Sequence, residues 1–181
     1  MQADKHLIRQ AQGGDKQAAE TLFRRYQDNI FGFLLRMTGN RDVAADATQE
    51  TFVRSFKGLS GYKEQNVFKS WLFRIARNEG LRGLKKRTRM DASGGGEAMT
   101  ELMADSSPGP GEIYEQRQMS AVLEDALKAL TNEERQVVHL RLKEDIPFRE
   151  IAKIMDCPLN TAISRMHVAK KKLTCLMVRE D

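Results

Sequence analysis

Cysteine occurs only twice in 181 residues, at Cys157 and Cys175, too few for a disulfide framework and without a C-x-x-C pair. Long apolar runs are absent too. The richest stretch, residues 30–35, is broken by Gly32 and falls far short of the roughly eighteen residues a membrane span needs. The opening Met1-Gln2-Ala3-Asp4-Lys5-His6 has no apolar signal core, so the chain is expected to work in the cytoplasm, with no membrane insertion. No alternating apolar–polar segment reads as a strand. The three histidines, His6, His139 and His167, are scattered, and neither a P-loop nor an H-E-x-x-H motif occurs. No catalytic residue, metal site or cofactor is therefore expected.

What the chain has is charge, unevenly placed. Lys and Arg total 30 against 25 Asp and Glu, a net +5. Residues 1–90 hold 18 bases and 9 acids (+9), residues 91–116 hold 6 acids and no base (−6), and residues 117–181 hold 12 bases and 10 acids (+2). A basic front half favours a polyanionic partner through counterion release. The acidic middle also concentrates chain breakers: Gly94-Gly95-Gly96, then Pro108-Gly109-Pro110-Gly111. With few large apolar residues it cannot offset its ordering entropy, so 91–116 is expected to be a flexible acidic linker between domains 1–90 and 117–181.

Both flanking blocks read as helical, giving an all-α chain of two domains. Ala19, Leu22, Phe23, Tyr26, Ile30, Phe33, Leu34 and Met37 recur at three- and four-residue steps. Asp15 is placed to cap that helix and Gly39-Asn40 to end it. A third helix is expected at 42–57 and a fourth at 67–86, with Asn66 as its cap, completing a four-helix bundle. After the linker, helices are expected at 113–129, 132–142, 148–155 and 159–177. Thr131 and Glu134 have capping-box spacing.

In the last two of these, Ala152 is small where a second helix crosses, and Asp156 stands where the turn requires a left-handed residue. Ala162, Met166, Ala169 and Leu173 form one face, leaving Asn160, Thr161, Ser164, His167, Lys170 and Lys171 outward. This is a helix-turn-helix pattern, with small polar side chains early and cations late, as a major-groove helix requires.

In the first block, Asp42, Asp46, Gln49, Glu50 and Val53 share one side of the third helix, with Ala45, Phe52, Phe56 and Leu59 on the expected core side. An apolar Val53 inside an acidic stripe fits a protein-binding face better than a DNA-binding one. On the fourth helix Phe68, Trp71, Leu72, Ile75 and Ala76 face inward, and Arg74, Arg77, Asn78 and Lys85 share an outer arc of about 100°. The preceding loop, Gly58 through Asn66 with Tyr62 and Lys63, has the composition to hold an unstacked base beside a cationic groove.

Together these residues resemble an RNA polymerase sigma factor of the extracytoplasmic-function (ECF) class of the sigma-70 family. Asp46-Ala-Thr-Gln49-Glu50-Thr-Phe52 is similar to the region 2 helix that grips core polymerase. Phe68-Lys-Ser-Trp71-Leu72-Phe-Arg74-Ile75-Ala76-Arg77-Asn78 is similar to the helix that opens the −10 element. Residues 130–172 resemble region 4, the −35 reader. The resemblance implies core RNA polymerase contacts at Asp46, Gln49, Glu50 and Val53. It implies −10 contacts at Tyr62, Lys63, Gln65, Asn66, Arg74, Arg77, Asn78 and Lys85. It implies −35 contacts at Arg149, Thr161, Ser164, Arg165, His167, Lys170 and Lys171. Promoter DNA, core polymerase and an anti-sigma factor are the implied partners. The chain departs from the family pattern at Arg82 (commonly Asp), at Glu64-Gln65-Asn66, at Ile163 and Val168 (often Lys or Arg) and at Pro147 (commonly Ser).

Physical reasoning points the same way. Two DNA contacts more than one helical turn apart need positioning beyond ~34 Å. A Gly-rich coil of about 26 residues has an r.m.s. span of roughly 28 Å and cannot fix that distance. A large partner must hold both heads. A free-standing helix-turn-helix regulator is the alternative, favoured by tight duplex binding without polymerase. A DNA-processing enzyme would need a convergent nucleophile or metal cage, for which no residues offer themselves.

Overall fold

A computed structural model of the chain describes residues 2–63, 67–92 and 129–177. Among them every regular element is helical, and no helix is long and apolar enough to cross a membrane. The chain forms two compact units.

The first unit contains α1 (Gln2–Gln12), α2 (Lys16–Thr38), α3 (Arg41–Leu59) and α4 (Phe68–Ala92). Its helix ends follow the local chemistry. Asp15 accepts hydrogen bonds from the Gln17 and Ala18 amides, Gly39 closes α2 in the left-handed region at φ 62°, and the Asn40 side chain accepts from the Val43 amide to start α3. The core is the apolar stripe of α2, with Leu22, Ile30, Phe33 and Leu34 fully buried against Leu72, Phe73 and Ala76 of α4. Phe33 and Phe73 meet edge-on at 5.3 Å, worth about 0.5–1.5 kcal/mol beyond the area they bury. Gly80 lets α2 and α4 approach closely: a Cβ there would lie 2.8 Å from Leu34 Cδ2 and 3.0 Å from Met37 Cε.

α3 corrects the pattern reading. Its buried face is Ala44, Ala47, Thr48, Thr51, Ser55 and Leu59, whereas Ala45 and Phe52 are only half-buried and Phe56 is 48% exposed. The hydroxyls of Thr48, Thr51 and Ser55 donate to the carbonyls one turn back at 2.7, 2.6 and 2.7 Å. Satisfied locally, these small polar side chains can be buried, and they displace the aromatics to the rim. α4 also outruns its expected end at 86. It continues to Ala92, through Asp91, which pairs with Arg87 one turn earlier at 3.7 Å. The expected Asn66 cap, linker residues 93–116 and, but for its last residue, the helix expected at 113–129 lie outside the described residues.

The second unit contains α5 (Asn132–Val138), a π-helical turn (His139–Lys143), α6 (Phe148–Met155) and α7 (Leu159–Met177). Thr131 and Glu134 make the expected capping box. The single helix anticipated at 132–142 divides instead at Val138, where the winding loosens into the π turn and buries His139 and Leu140. Pro147, lacking a capping side chain, starts α6 by accepting the Glu150 and Ile151 amides at its carbonyl, at 2.9 and 3.0 Å. α6 ends in Asp156, left-handed at φ 50° and ψ 55°, and the Cys157 amide donates back to the Ala152 carbonyl at 3.0 Å. The Thr161 amide then donates to the Pro158 carbonyl as α7 begins. Ala162, Met166 and Ala169 are buried, as a helix-turn-helix demands.

Candidate protein and nucleic-acid interfaces

The outer face of α3 is built as the spacing anticipated. Asp46 and Gln49 are exposed, Val53 is 45% exposed, and Glu50 is half-covered because its carboxylate pairs with Arg54 at 2.9 Å. Phe56, expected in the core, joins Val53 on the surface. Beside them Phe23 of α2 and Phe52 stack at 5.2 Å, and these residues line a groove of about 550 Å³ between α2 and α3, with Ala19 and Glu20. The groove's rim carries Glu20 together with Lys16, Arg24 and Lys57, and its exposed apolar floor suits a protein partner with apolar side chains. The signal that could have identified Phe56 was the run of small residues one position away, which claims the core side first.

Arg54 also joins α3 to α4. Its Nε lies 2.9 Å from Glu79, a carboxylate 5% exposed, which receives Arg82 as well at 2.7 Å. The cation at position 82 thus has a local explanation: it is the second partner of a buried acid that sequence reasoning overlooked.

The loop after α3 is held from below. Gln12 Nε2 donates to the Leu59 carbonyl at 3.0 Å and to the Tyr62 carbonyl at 2.6 Å. The Tyr62 ring is 8% exposed, packed at 5.0 Å from Trp71 and 5.5 Å from Phe68. That corrects its assignment as a stacking platform: the aromatic cluster offsets more free energy by burying it than the loop gains by presenting it. Tyr26 completes the cluster against Phe68 at 5.7 Å, and burial, then its 2.8 Å hydrogen bond to Asp4, hold its hydroxyl above the usual phenol value. Lys63, Arg74, Asn78 and Lys85 are exposed and Arg77 is partly covered, while Gln65 and Asn66 lie outside the described residues.

On the second unit Arg149, Ser164, His167, Lys170 and Lys171 are exposed, and Thr161 and Arg165 are partly covered. Lys172 is turned away from this face. Its ammonium bonds both oxygens of the nearly buried Glu134 at 3.0 and 2.8 Å, tying α7 to the start of α5. No cluster of His, Cys, Asp and Glu able to hold a metal occurs among the described residues.

The chain matches the Sigma-70 region 2 family over residues 22–90 and the Sigma-70 region 4 family over 120–173, two modules in order that together span more than half of it. It belongs to the sigma-70 family. Its relatives place it in the ECF class. It is 28% identical to the ECF RNA polymerase sigma-E factor of Haemophilus influenzae, over 94% of this chain and 93% of that one. It is 27% identical to the RNA polymerase sigma-H factor of Pseudomonas aeruginosa, over 94% and 91%. The fold is shared with the sigma factor RpoE of Bartonella quintana, solved with the anti-sigma factor NepR, at a TM-score of 0.70, 21% identity, and coverage of 87% and 95%. Sigma factors of this class direct RNA polymerase to promoters, and so does this chain.

Proposed function

We propose that the chain carries out this role with three separate surfaces. The α3 face of Asp46, Gln49, Glu50 and Val53, widened by Phe56, binds core RNA polymerase. Lys63, Gln65, Asn66, Arg74, Arg77, Asn78 and Lys85 hold the displaced strand of the −10 element, with Tyr62 supporting the loop from the core. Arg149, Thr161, Ser164, Arg165, His167, Lys170 and Lys171 meet the −35 duplex. The role is non-enzymatic and cytoplasmic, because polymerase supplies the chemistry. The free-standing regulator is the weaker reading, since both sigma modules occur in family order.

One observation carries the proposal. α3 puts Val53 and Phe56, 45% and 48% exposed, on the surface of a basic unit, where they line an apolar groove with Phe23 and Phe52. The same helix turns Asp46 and Glu50 outward, so that its face suits a protein better than a phosphate backbone. An anti-sigma factor is proposed as the second protein partner, and the Bartonella relative was captured with one.

The test is capture by core polymerase and run-off transcription. Glu50→Lys and Phe56→Glu should each weaken capture by about tenfold or more, the effect of removing a central interface residue, with little change in unfolding midpoint. Retained capture by both variants rejects the α3 face. Failure of the unmodified chain to bind core polymerase rejects the function.

A further inference from the structure

α7 exposes three large apolar side chains among polar and cationic ones: Leu159 at its first position, and Ile163 and Val168 further along. Ile163 is 44% and Val168 39% exposed, although Ala162, Met166 and Ala169 of the same helix are fully packed. On a 3.6-residue wheel, Ser164 points almost directly away from the buried line. Val168 lies roughly 40° to one side of it and Ile163 roughly 100° to the other. The helix has no acidic residue, and Lys170 and Lys171 extend the outward face. Such a surface complements a phosphate-lined duplex groove and opposes a basic protein.

We propose that Val168 and Ile163 are specificity residues that bury thymine methyl groups, so that the −35 element of this chain carries T·A pairs where they land. The proposal rests on reading α7 as the −35 helix. In the major groove the one apolar group on a base edge is the thymine C5-methyl, and every other exposed atom there is a hydrogen-bond donor or acceptor. Valine or isoleucine against cytosine N4, adenine N6 or guanine O6 would strip water from a polar group and return nothing. Against a methyl group the same side chain removes apolar surface from water. Both residues are β-branched and held near one χ1 rotamer in a helix, so little entropy is lost in the contact. Ser164 between them bonds any base and discriminates little. Five residues separate the pair, ~7.5 Å along the axis, which corresponds to about two base-pair steps. Two cations are absent from these positions, so reading here relies on shape and apolar contact in place of charge.

The experiment uses holoenzyme assembled from the full chain and core polymerase, selecting duplexes randomised across the −35 region. The expected element has two T·A pairs about two steps apart. Each thymine is then replaced by deoxyuracil, which removes only the methyl group. Affinity should fall about threefold to fivefold per site, the scale of burying one methyl group. That penalty should vanish at one site in Val168→Ala and at the other in Ile163→Ala, both surface variants that keep core capture. Uracil tolerated by the unmodified holoenzyme, or a penalty undiminished in both variants, overturns the proposal and leaves the sigma role intact. A selection that enriches no −35 element overturns the −35 reading itself and this proposal with it.

Discussion

Nε of Arg54 on α3 lies 2.9 Å from the carboxylate of Glu79 on α4, and the same nitrogen is 2.9 Å from Glu50. The helix assigned to polymerase and the helix assigned to melted DNA are therefore joined by one guanidinium, with Glu79 almost fully covered beneath it.

Glu79→Gln should cost the first unit about 1–3 kcal/mol, because Arg82 loses its charged partner at Glu79 and Arg54 keeps only Glu50. Urea unfolding followed by Trp71 fluorescence measures it, Trp71 being the sole tryptophan. Arg82→Asp should destabilise as well, by setting a second acid beside Glu79. In the Glu79→Gln background that substitution should cost less, a coupling that a double-mutant cycle reads directly. Additive effects would mean that position 82 does not answer to Glu79.

The Gln12 side chain holds the α3–α4 loop by two backbone carbonyls, Leu59 and Tyr62. Gln12→Ala should leave both acceptors to water and cost about 1–2 kcal/mol. It should also raise protease cleavage within the loop and reduce open-complex formation at the −10 element more than core capture. Equal losses in both assays would show that Gln12 serves general stability alone.

The Glu134–Lys172 pair makes the second unit acid-sensitive in a defined direction. Burial opposes ionisation of Glu134, but hydrogen bonds from Lys172 and from the Thr131 amide outweigh it and hold the carboxyl below its ordinary value of 4.5. A depressed carboxyl stabilises the fold above its unfolded pKa, and that contribution disappears as pH falls through the lower folded value. The protection of the α5 and α7 amides, relative to their intrinsic exchange, should therefore fall as pH drops below about 4.5. Lys172→Met should lower the protection of α5 at neutral pH and flatten this dependence. An unchanged acid profile in Lys172→Met would remove the pair from the explanation.

The amino-acid order determined most of the helix map, because caps and breakers act within a turn or two: Asp15, Gly39, Thr131, and Asp156 followed by Pro158 set their boundaries with no help from distant residues. The outward faces of α3 and α7 were legible for the same reason, since a 3.6-residue repeat is a local property. Only the tertiary structure decided which side chain wins a contested place. Phe56 lost the core to Thr51 and Ser55, whose hydroxyls are satisfied within their own helix. Tyr62 was drawn from its loop into the cluster of Phe68 and Trp71, and Lys172 turned to Glu134, 38 residues away, while its neighbours Lys170 and Lys171 stayed exposed. Burial and ion pairing are settled between groups far apart in sequence, and periodicity along one helix carries no information about the partner opposite.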